Sequence, residues 1–253
     1  MSFRLDGRKA LVTGASRGIG AAIAVAYAQA GADVAISARD EAKLADVAKQ
    51  IEAMGRKAIV VPADVLDGEA LRAAVDAASL ALGGLDLLVN NAGGNSFSTP
   101  VANMRFSGWQ KTFSLNVESI VHACQAAAPH LLASDHGSVI NVSSVASLAG
   151  TPFMAHYGAA KAAVSSLTKT LAIEWAHANV RVNALVPGWV ETDLTDFLRA
   201  DDNTETSLLS RVPMQRWGRV NEMAEPAVFL ASDASSFMTG QQLVVDGGLS
   251  VMP

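Results

Sequence analysis

Short β-branched runs alternate with longer Ala-rich stretches of helical spacing along the whole chain. Seven segments read as strands: KALVTG (9–14), DVAIS (33–37), KAIVVPA (57–63), DLLVNN (86–91), GSVINVSS (137–144), VRVNALVP (180–187) and QLVVDG (242–247). AAIAVAYAQAG (21–31) has the spacing of a helix that closes at Gly31, and DEAKLADVAKQIEAMG (40–55) repeats the pattern and closes at Gly55. Glycine ends helices in this way because it takes the left-handed backbone of a C-terminal cap without steric cost. Strand–helix alternation marks successive βαβ units. The pattern predicts an α/β fold: one doubly wound parallel sheet of about seven strands with helices on both faces.

One stretch breaks the rhythm. Between Trp189 and Trp217 the chain is polar in its middle (RADDNTETS), lacks a strand pattern and lies between two turns, Pro187-Gly188 and Pro213. A loop this long inside a compact fold usually serves function, so residues 188–217 are expected to be a substrate lid. No linker, repeat or low-complexity tract interrupts the series, and residues 1–253 are expected to form a single domain.

Composition removes several functions. Half of the 253 residues are apolar, 17 % are charged and the formal net charge is −5. Such a chain has no basic field to attract nucleic acid or anionic lipid, so neither is expected as a partner. The start, MSFRLDGRKA, lacks the apolar core of a secretory signal, and no 18 apolar residues run together; a cytoplasmic location is the expectation. Cys124 lies in the apolar stretch SIVHACQAAAPHLL and reads as a buried, inert thiol. The five histidines share no metal-ligand spacing, so metal-free chemistry is expected.

Candidate chemistry begins after the first strand. TGASRGIG (13–20) sets Gly14, Gly18 and Gly20 in a turn that leads into a helix. Glycines let the backbone turn sharply and approach a pyrophosphate, which the free N–H groups and positive dipole end of that helix stabilise. An acid near the end of the second strand would bind the 2′-hydroxyl of NAD, but Ala38 and Arg39 stand there. The planar, permanently charged guanidinium suits a 2′-phosphate, and Arg17 offers a second cation. NADP(H) is therefore preferred, and Asp40 keeps NAD(H) open as the alternative. Further along, AHYGAAKAAVSSLTKTLAIEWA (155–176) reads as a helix that carries Tyr157 and Lys161 one turn apart on one face. A phenol holds its proton at neutral pH, and a neighbouring ammonium favours the phenolate, bringing the group into working range as acid or base.

TGASRGIG, NNAG (90–93), Asn116, Ser144, Tyr157-x3-Lys161 and PGWVET (187–192), in this order and separation, resemble the short-chain dehydrogenase/reductase family, and within it the 3-oxoacyl-acyl-carrier-protein reductases. The resemblance covers nearly the whole chain. It implies a single Rossmann-type domain that interconverts a carbonyl and a secondary alcohol by hydride transfer. It also implies a catalytic set of Ser144, Tyr157, Lys161 and Asn116. In that set Ser144 holds the substrate oxygen, Tyr157 donates the proton, Lys161 holds the nicotinamide ribose and lowers the tyrosine pKa, and Asn116 holds a water in the proton path. Spacing from the tyrosine selects Ser144, although the adjacent Ser143 also fits by spacing alone.

The same resemblance assigns the cofactor to Gly14, Ser16, Arg17, Gly18, Ile19 and Gly20 in the turn, and to Arg39, Asp64 and Val65 around the adenosine. Asn91, Ala92 and Gly93 border it, with Asn90 supporting the sheet. Tyr157, Lys161, Pro187, Gly188, Val190 and Thr192 complete the set. By position Asp64 also fits an ordinary helix cap, as does Thr192.

The expected substrate pocket is Asn95, Phe97, Ser144, Val145, Phe153, Trp189 and Phe197, with His156 as a further wall residue. These are mostly apolar, which points to a small-molecule ketone or alcohol with some hydrophobic bulk. A nucleotide-sensing module without turnover is the rival reading, and a dehydratase or isomerase on the same fold is a third. Apolar C-terminal residues and sparsely charged helices around 110–134 and 153–178, taken with the resemblance, lead us to expect a homotetramer.

Overall fold

The computed structural model describes residues 3–252, apart from the side chain of Phe197. Seven strands pair in parallel: β1 (Lys9–Thr13), β2 (Asp33–Ser37), β3 (Ala58–Val60), β4 (Leu87–Asn90), β5 (Ser138–Val142), β6 (Arg181–Pro187) and β7 (Gln242–Val245). Their order across the sheet is β3-β2-β1-β4-β5-β6-β7. Each lies within its predicted segment, trimmed at the ends where Pro, Gly and paired Asn or Ser residues leave the ladder. Leu11 sits opposite Ala35 on one side and Leu88 on the other, which fixes the register of the three central strands.

The nine α-helices of the described residues are α1 (Gly18–Gln29), α2 (Glu41–Glu52), α3 (Gly68–Leu82), α4 (Phe106–Phe113), α5 (Ser119–Leu131), α6 (Ala155–Trp175), α7 (Asp196–Arg199), α8 (Asp202–Leu209) and α9 (Val220–Ala231). Alternate strand residues feed two cores, as the period of two requires. Ala10, Val12, Val34, Ile36, Leu87 and Val89 pack with α1, α2 and α9. Leu11, Ala35, Leu88 and Val139 face the other way, onto α3, α5 and α6. Both faces are covered, so the doubly wound expectation holds.

Three details differ from the expectation. Helix α1 starts at Gly18 rather than residue 21, because the glycine turn itself supplies the first helical turn. The helix around 110–134 is irregular: α4 runs without a break through a π-turn (Ser114–Glu118), which carries Asn116, into α5. The segment 188–217 holds α7 and α8 instead of plain loop. Its two ends are joined by a parallel bridge between Val190 and Gly218, and within it Trp217 Nε1 donates to Glu205 Oε1 at 2.6 Å. Strand order reverses between β1 and β4, and the crevice at the carboxyl ends of these strands is where ligands of such sheets bind.

Candidate active site

The crevice is a cleft of about 970 Å³, running from the β2–β3 edge, across the glycine turn, to the start of α6. Its floor is the N-terminus of α1. Asp40 caps α2 by accepting from Lys43 N, and Asp67 caps α3 by accepting from Glu69 N and Ala70 N, but no side chain caps α1 and its first turn holds no acid. The first N–H groups of α1 thus remain available to an anion from outside the helix. Gly14 has φ +65°, and a Cβ there would meet Ala92 Cα at 2.8 Å; a Cβ at Gly20 would overlap Gly14 O and Asn91 Nδ2. Both glycines are needed so that the turn can close against Asn91, whose Nδ2 donates to Thr13 O at 3.0 Å and Gly14 O at 3.1 Å. Arg17, Arg39 and Lys43 line the same cleft. Free helix N–H groups beside three cations fit the pyrophosphate and adenosine phosphate of a nicotinamide dinucleotide.

At the other end, three consecutive residues closing β5 address helix α6. Val142 O accepts from Lys161 Nζ at 2.9 Å. Ser143 Oγ donates to Lys161 O at 3.1 Å and lies 3.2 Å from Ser165 Oγ. Ser144 Oγ accepts from Ala146 N at 3.2 Å, which fixes its rotamer beside the Tyr157 phenol. Ser143 therefore faces the helix interior and Ser144 the tyrosine, so the alternative that spacing left open has a geometric answer.

Lys161 and Tyr157 emerge one turn apart, with Nζ 5.7 Å from the centre of the tyrosine ring. Burial disfavours both charged forms. It brings the Lys161 ammonium down to about 8 and pushes the Tyr157 phenol up, with the Ser144 hydroxyl pulling the phenol the other way. Asn116 is fully buried in the π-turn, a distortion that often accompanies functional sites. Its Oδ1 accepts from Gly94 N at 3.0 Å, and its Nδ2 donates to Gly94 O at 3.0 Å and Thr112 O at 2.9 Å. Both Nδ2 donors and one acceptor position of Oδ1 thus pin the loop after β4 and the preceding turn of α4.

The family profile described as Enoyl-(Acyl carrier protein) reductase matches residues 14–250. The chain belongs to the short-chain dehydrogenase/reductase family. It is an oxidoreductase of alcohol and carbonyl groups that uses a nicotinamide dinucleotide. Among its relatives is the gluconate 5-dehydrogenase of Gluconobacter oxydans, 40 % identical over 98 % of this chain and 97 % of that one. A second is the 3-oxoacyl-(acyl-carrier-protein) reductase of Thermotoga maritima, 36 % identical over 98 % of this chain and all of that one. The crystal structure of a gluconate 5-dehydrogenase from Burkholderia cenocepacia, in complex with NADP and tartrate, aligns with a TM-score of 0.94 at 40 % identity, covering 100 % of this chain and 98 % of that one.

In this oxidoreductase the cleft lining brings together most of the residues expected at the cofactor. Gly14, Ser16, Arg17, Gly18 and Ile19 join Arg39, Asp64 and Val65, then Asn91, Ala92 and Gly93, and finally Tyr157, Lys161, Pro187, Gly188, Val190 and Thr192. Gly20 lies behind the turn rather than on the lining. Asp64 is not the helix cap, since Asp67 fills that place. Nor does Thr192 begin a helix: it precedes α7, whose N-cap is Thr195.

Of the expected substrate pocket, Ser144 and Phe97 line the cleft, whereas Asn95, Val145, Phe153 and Trp189 do not. Trp189 instead stands against Trp217, edge to face at 6.0 Å, beside a separate cavity of about 120 Å³. Val145 turns into a short 3-10 helix (Val145–Ser147), Phe153 points outward, and Asn95 turns toward His156. The side chain of Phe197 lies outside the described residues. Sequence reasoning missed Gly94, Leu115 and Leu194 on this wall. Leu115 was legible in principle, one residue before Asn116, but Leu194 reaches Gly94 only through the tertiary fold.

Cys124 is buried, its thiol pushed up to about 12 by burial, with Asn90 Nδ2 the donor 3.5 Å away. Among the described residues no group of three His, Cys, Asp or Glu side chains is arranged to hold a metal ion. Nor is any described helix long and apolar enough to cross a membrane.

Proposed function

We propose that this enzyme interconverts a ketone and a secondary alcohol with NADP(H), with Tyr157 as the general acid and base. The observation that carries the reading is the convergence of Ser144, Tyr157 and Lys161 at one end of a cleft whose other end presents free helix N–H groups and three cations. When bound, the nicotinamide supplies or accepts the hydride. Ser144, its rotamer fixed by Ala146 N, holds the substrate oxygen by hydrogen bond. Tyr157, whose phenol keeps its proton in this buried setting, donates it to that oxygen, so no bare alkoxide accumulates. Lys161 is largely an ammonium at pH 7; its charge favours the phenolate that remains and its N–H donors suit a ribose hydroxyl. Asn116 sets the Gly93–Gly94 backbone against Lys161 through both its Nδ2 and its Oδ1, and the second acceptor position of Oδ1 leaves room for the water in the proton path.

NADP(H) is favoured over NAD(H) because Arg39, Arg17 and Lys43 lie on the cleft, where Asp40, the acid that would serve NAD, has its Oδ1 engaged as the cap of α2. The segment 188–217 acts as a lid that stays attached through Arg17 NH1 and Asp193 Oδ2, 2.7 Å apart. The substrate wall of Phe97, Leu115 and Leu194 suits a ketone with an apolar face. The enzyme assembles as a homotetramer, a reading supported by Ile173 on α6, 79 % exposed, and by the outward Phe237 and Val251 flanking β7. A monomer at micromolar concentration in sedimentation would remove that reading. The functional test is a fluorescence titration with NADPH and with NADH, followed by the loss of nicotinamide absorbance in the presence of ketones. Tighter NADPH binding and ketone-dependent NADPH consumption are expected; a preference for NADH, or consumption independent of any carbonyl, would refute the proposal.

A further inference from the structure

His156 precedes the tyrosine but does not point with it. Adjacent helix residues diverge by about a quarter turn or more, and His156 enters the body while Tyr157 faces the cleft; the imidazole has no accessible surface. Its Nε2 is 2.9 Å from Asn95 Oδ1. The Asn95 amide can serve either tautomer of the ring, and Nδ1 has no hydrogen-bond partner of good geometry among the described residues. Burial favours the neutral imidazole, with the Phe97 backbone opposing.

The ring lies flat against Phe97, centroids 4.0 Å apart and planes 13° from parallel. Phe97 lines the cleft, and its tip abuts Gly108 of α4 so closely that a Cβ there would meet Phe97 Cζ at 2.9 Å. The phenyl ring is thus held between an imidazole face and a helix backbone. A second strap, Thr99 N donating to Phe153 O at 2.8 Å, ties the same loop to the segment just before α6. Phe153 takes φ +65°, a conformation rare outside glycine, to present that carbonyl.

We propose that His156 is a positioning residue which, with Asn95, clamps Phe97 in place as the wall of the substrate subsite and so selects ketones bearing an aryl or similarly flat apolar group next to the reacting carbonyl. A buried imidazole with one unpaired nitrogen is costly, and the contact it provides is the support of a cleft-lining ring. The clamp also couples selectivity to the catalytic tyrosine, since His156 and Tyr157 share one turn of α6. The choice of substrate rests on the carbonyl–alcohol reading above; the clamp itself does not.

The experiment has two readouts. Hydrogen exchange on the NADP-loaded enzyme, with no substrate present, follows residues 94–99. In His156→Ala and in Asn95→Ala, which alters only a loop, exchange of this segment speeds by about tenfold or more while β4 stays protected. His156→Gln, which keeps an N–H donor near Asn95, recovers most of the protection. Steady-state reduction by NADPH then compares 1-phenyl-1,2-propanedione with 2,3-butanedione. His156→Ala and Phe97→Ala each raise KM for the aryl diketone about tenfold and KM for butanedione by less than about threefold, so that the ratio of the two KM values is what the clamp moves. The double variant is no worse than either single one, because both remove one unit. Unchanged exchange in 94–99 overturns the clamp. Equal losses on both diketones, or additive losses in the double variant, overturn its part in selectivity. A wild-type enzyme that reduces neither diketone while His156→Ala still loosens the loop overturns the proposed selectivity and leaves the clamp standing, and failure of the ketone-dependent NADPH consumption described above would separately overturn the proposed reaction.

Discussion

Replacing Lys161 with Met should abolish turnover and yet raise stability at neutral pH. The ammonium is 4 % exposed and burial lowers its pKa from 10.5 to about 8. The folded protein thus binds the proton less tightly than the unfolded chain does. Below pH 8 the buried charge costs about 2.5 × 1.36, or roughly 3 kcal/mol. Because the folded pKa is the lower one, this cost is fully present below pH 8 and is relieved as pH rises toward 10.5; at pH 9.5 about 1 kcal/mol remains. Methionine has a similar volume and no charge, but leaves Val142 O without its donor, which subtracts about 1 kcal/mol at every pH. The variant is therefore expected to be about 2 kcal/mol more stable than wild type at pH 7 and about equal to it at pH 9.5. Urea unfolding of both proteins at matched concentration, at the two pH values, measures this. A stability difference that stays constant between pH 7 and 9.5 would refute the claim that burial depresses the lysine, whatever its sign.

Other outcomes follow from the same geometry. Tyr157→Phe is expected to keep NADPH affinity and lose nearly all turnover, measured by titration and initial rates. The chain has two tyrosines, and burial pushes Tyr27, bonded to Ala227 O, far above the accessible range. Any alkaline absorbance transition at about 295 nm that precedes unfolding therefore belongs to Tyr157, and the phenylalanine variant should lack it. The acid form of Tyr157 serves reduction and the phenolate serves oxidation, so the oxidation rate should rise with pH and the reduction rate fall; parallel profiles would mean another group is the acid. Arg39→Ala should weaken NADPH about 10- to 100-fold and NADH by less than threefold in a fluorescence titration, since a charge-assisted bond to phosphate contributes about 1.5–3 kcal/mol. Gly20→Ala should unfold at lower denaturant or fail to bind either dinucleotide, because its Cβ overlaps backbone at Gly14 O that cannot yield cheaply.

Much of the molecule was legible without coordinates. Strand and helix identity follow from local periodicity, so the α/β fold, the seven strands and the glycine turn could be read from neighbours along the chain. Most of the cleft lining was legible for a similar reason: its residues sit at strand ends, and strand ends are local features. Tyr157 and Lys161 needed only the helical repeat.

The substrate wall was not legible in this way, because its members are brought together by tertiary packing and not by spacing. Asn95 and Trp189 stand beside cleft residues in sequence, but Asn95 turns to a histidine 61 residues away and Trp189 to Trp217. Adjacency along an irregular segment says nothing about direction, since no repeat governs where a loop side chain points. The choice between Ser143 and Ser144 belongs to the same class: successive residues at a strand end face opposite ways, and only the position of α6 decides which one meets the tyrosine. Sequence alone determined the fold class, the glycine turn and the placing of Tyr157 and Lys161 one turn apart on α6, because short-range periodicity carries them. Packing of α4, α6 and the loop after β4 decided the shape of the pocket, because it depends on contacts between residues that the chain keeps far apart.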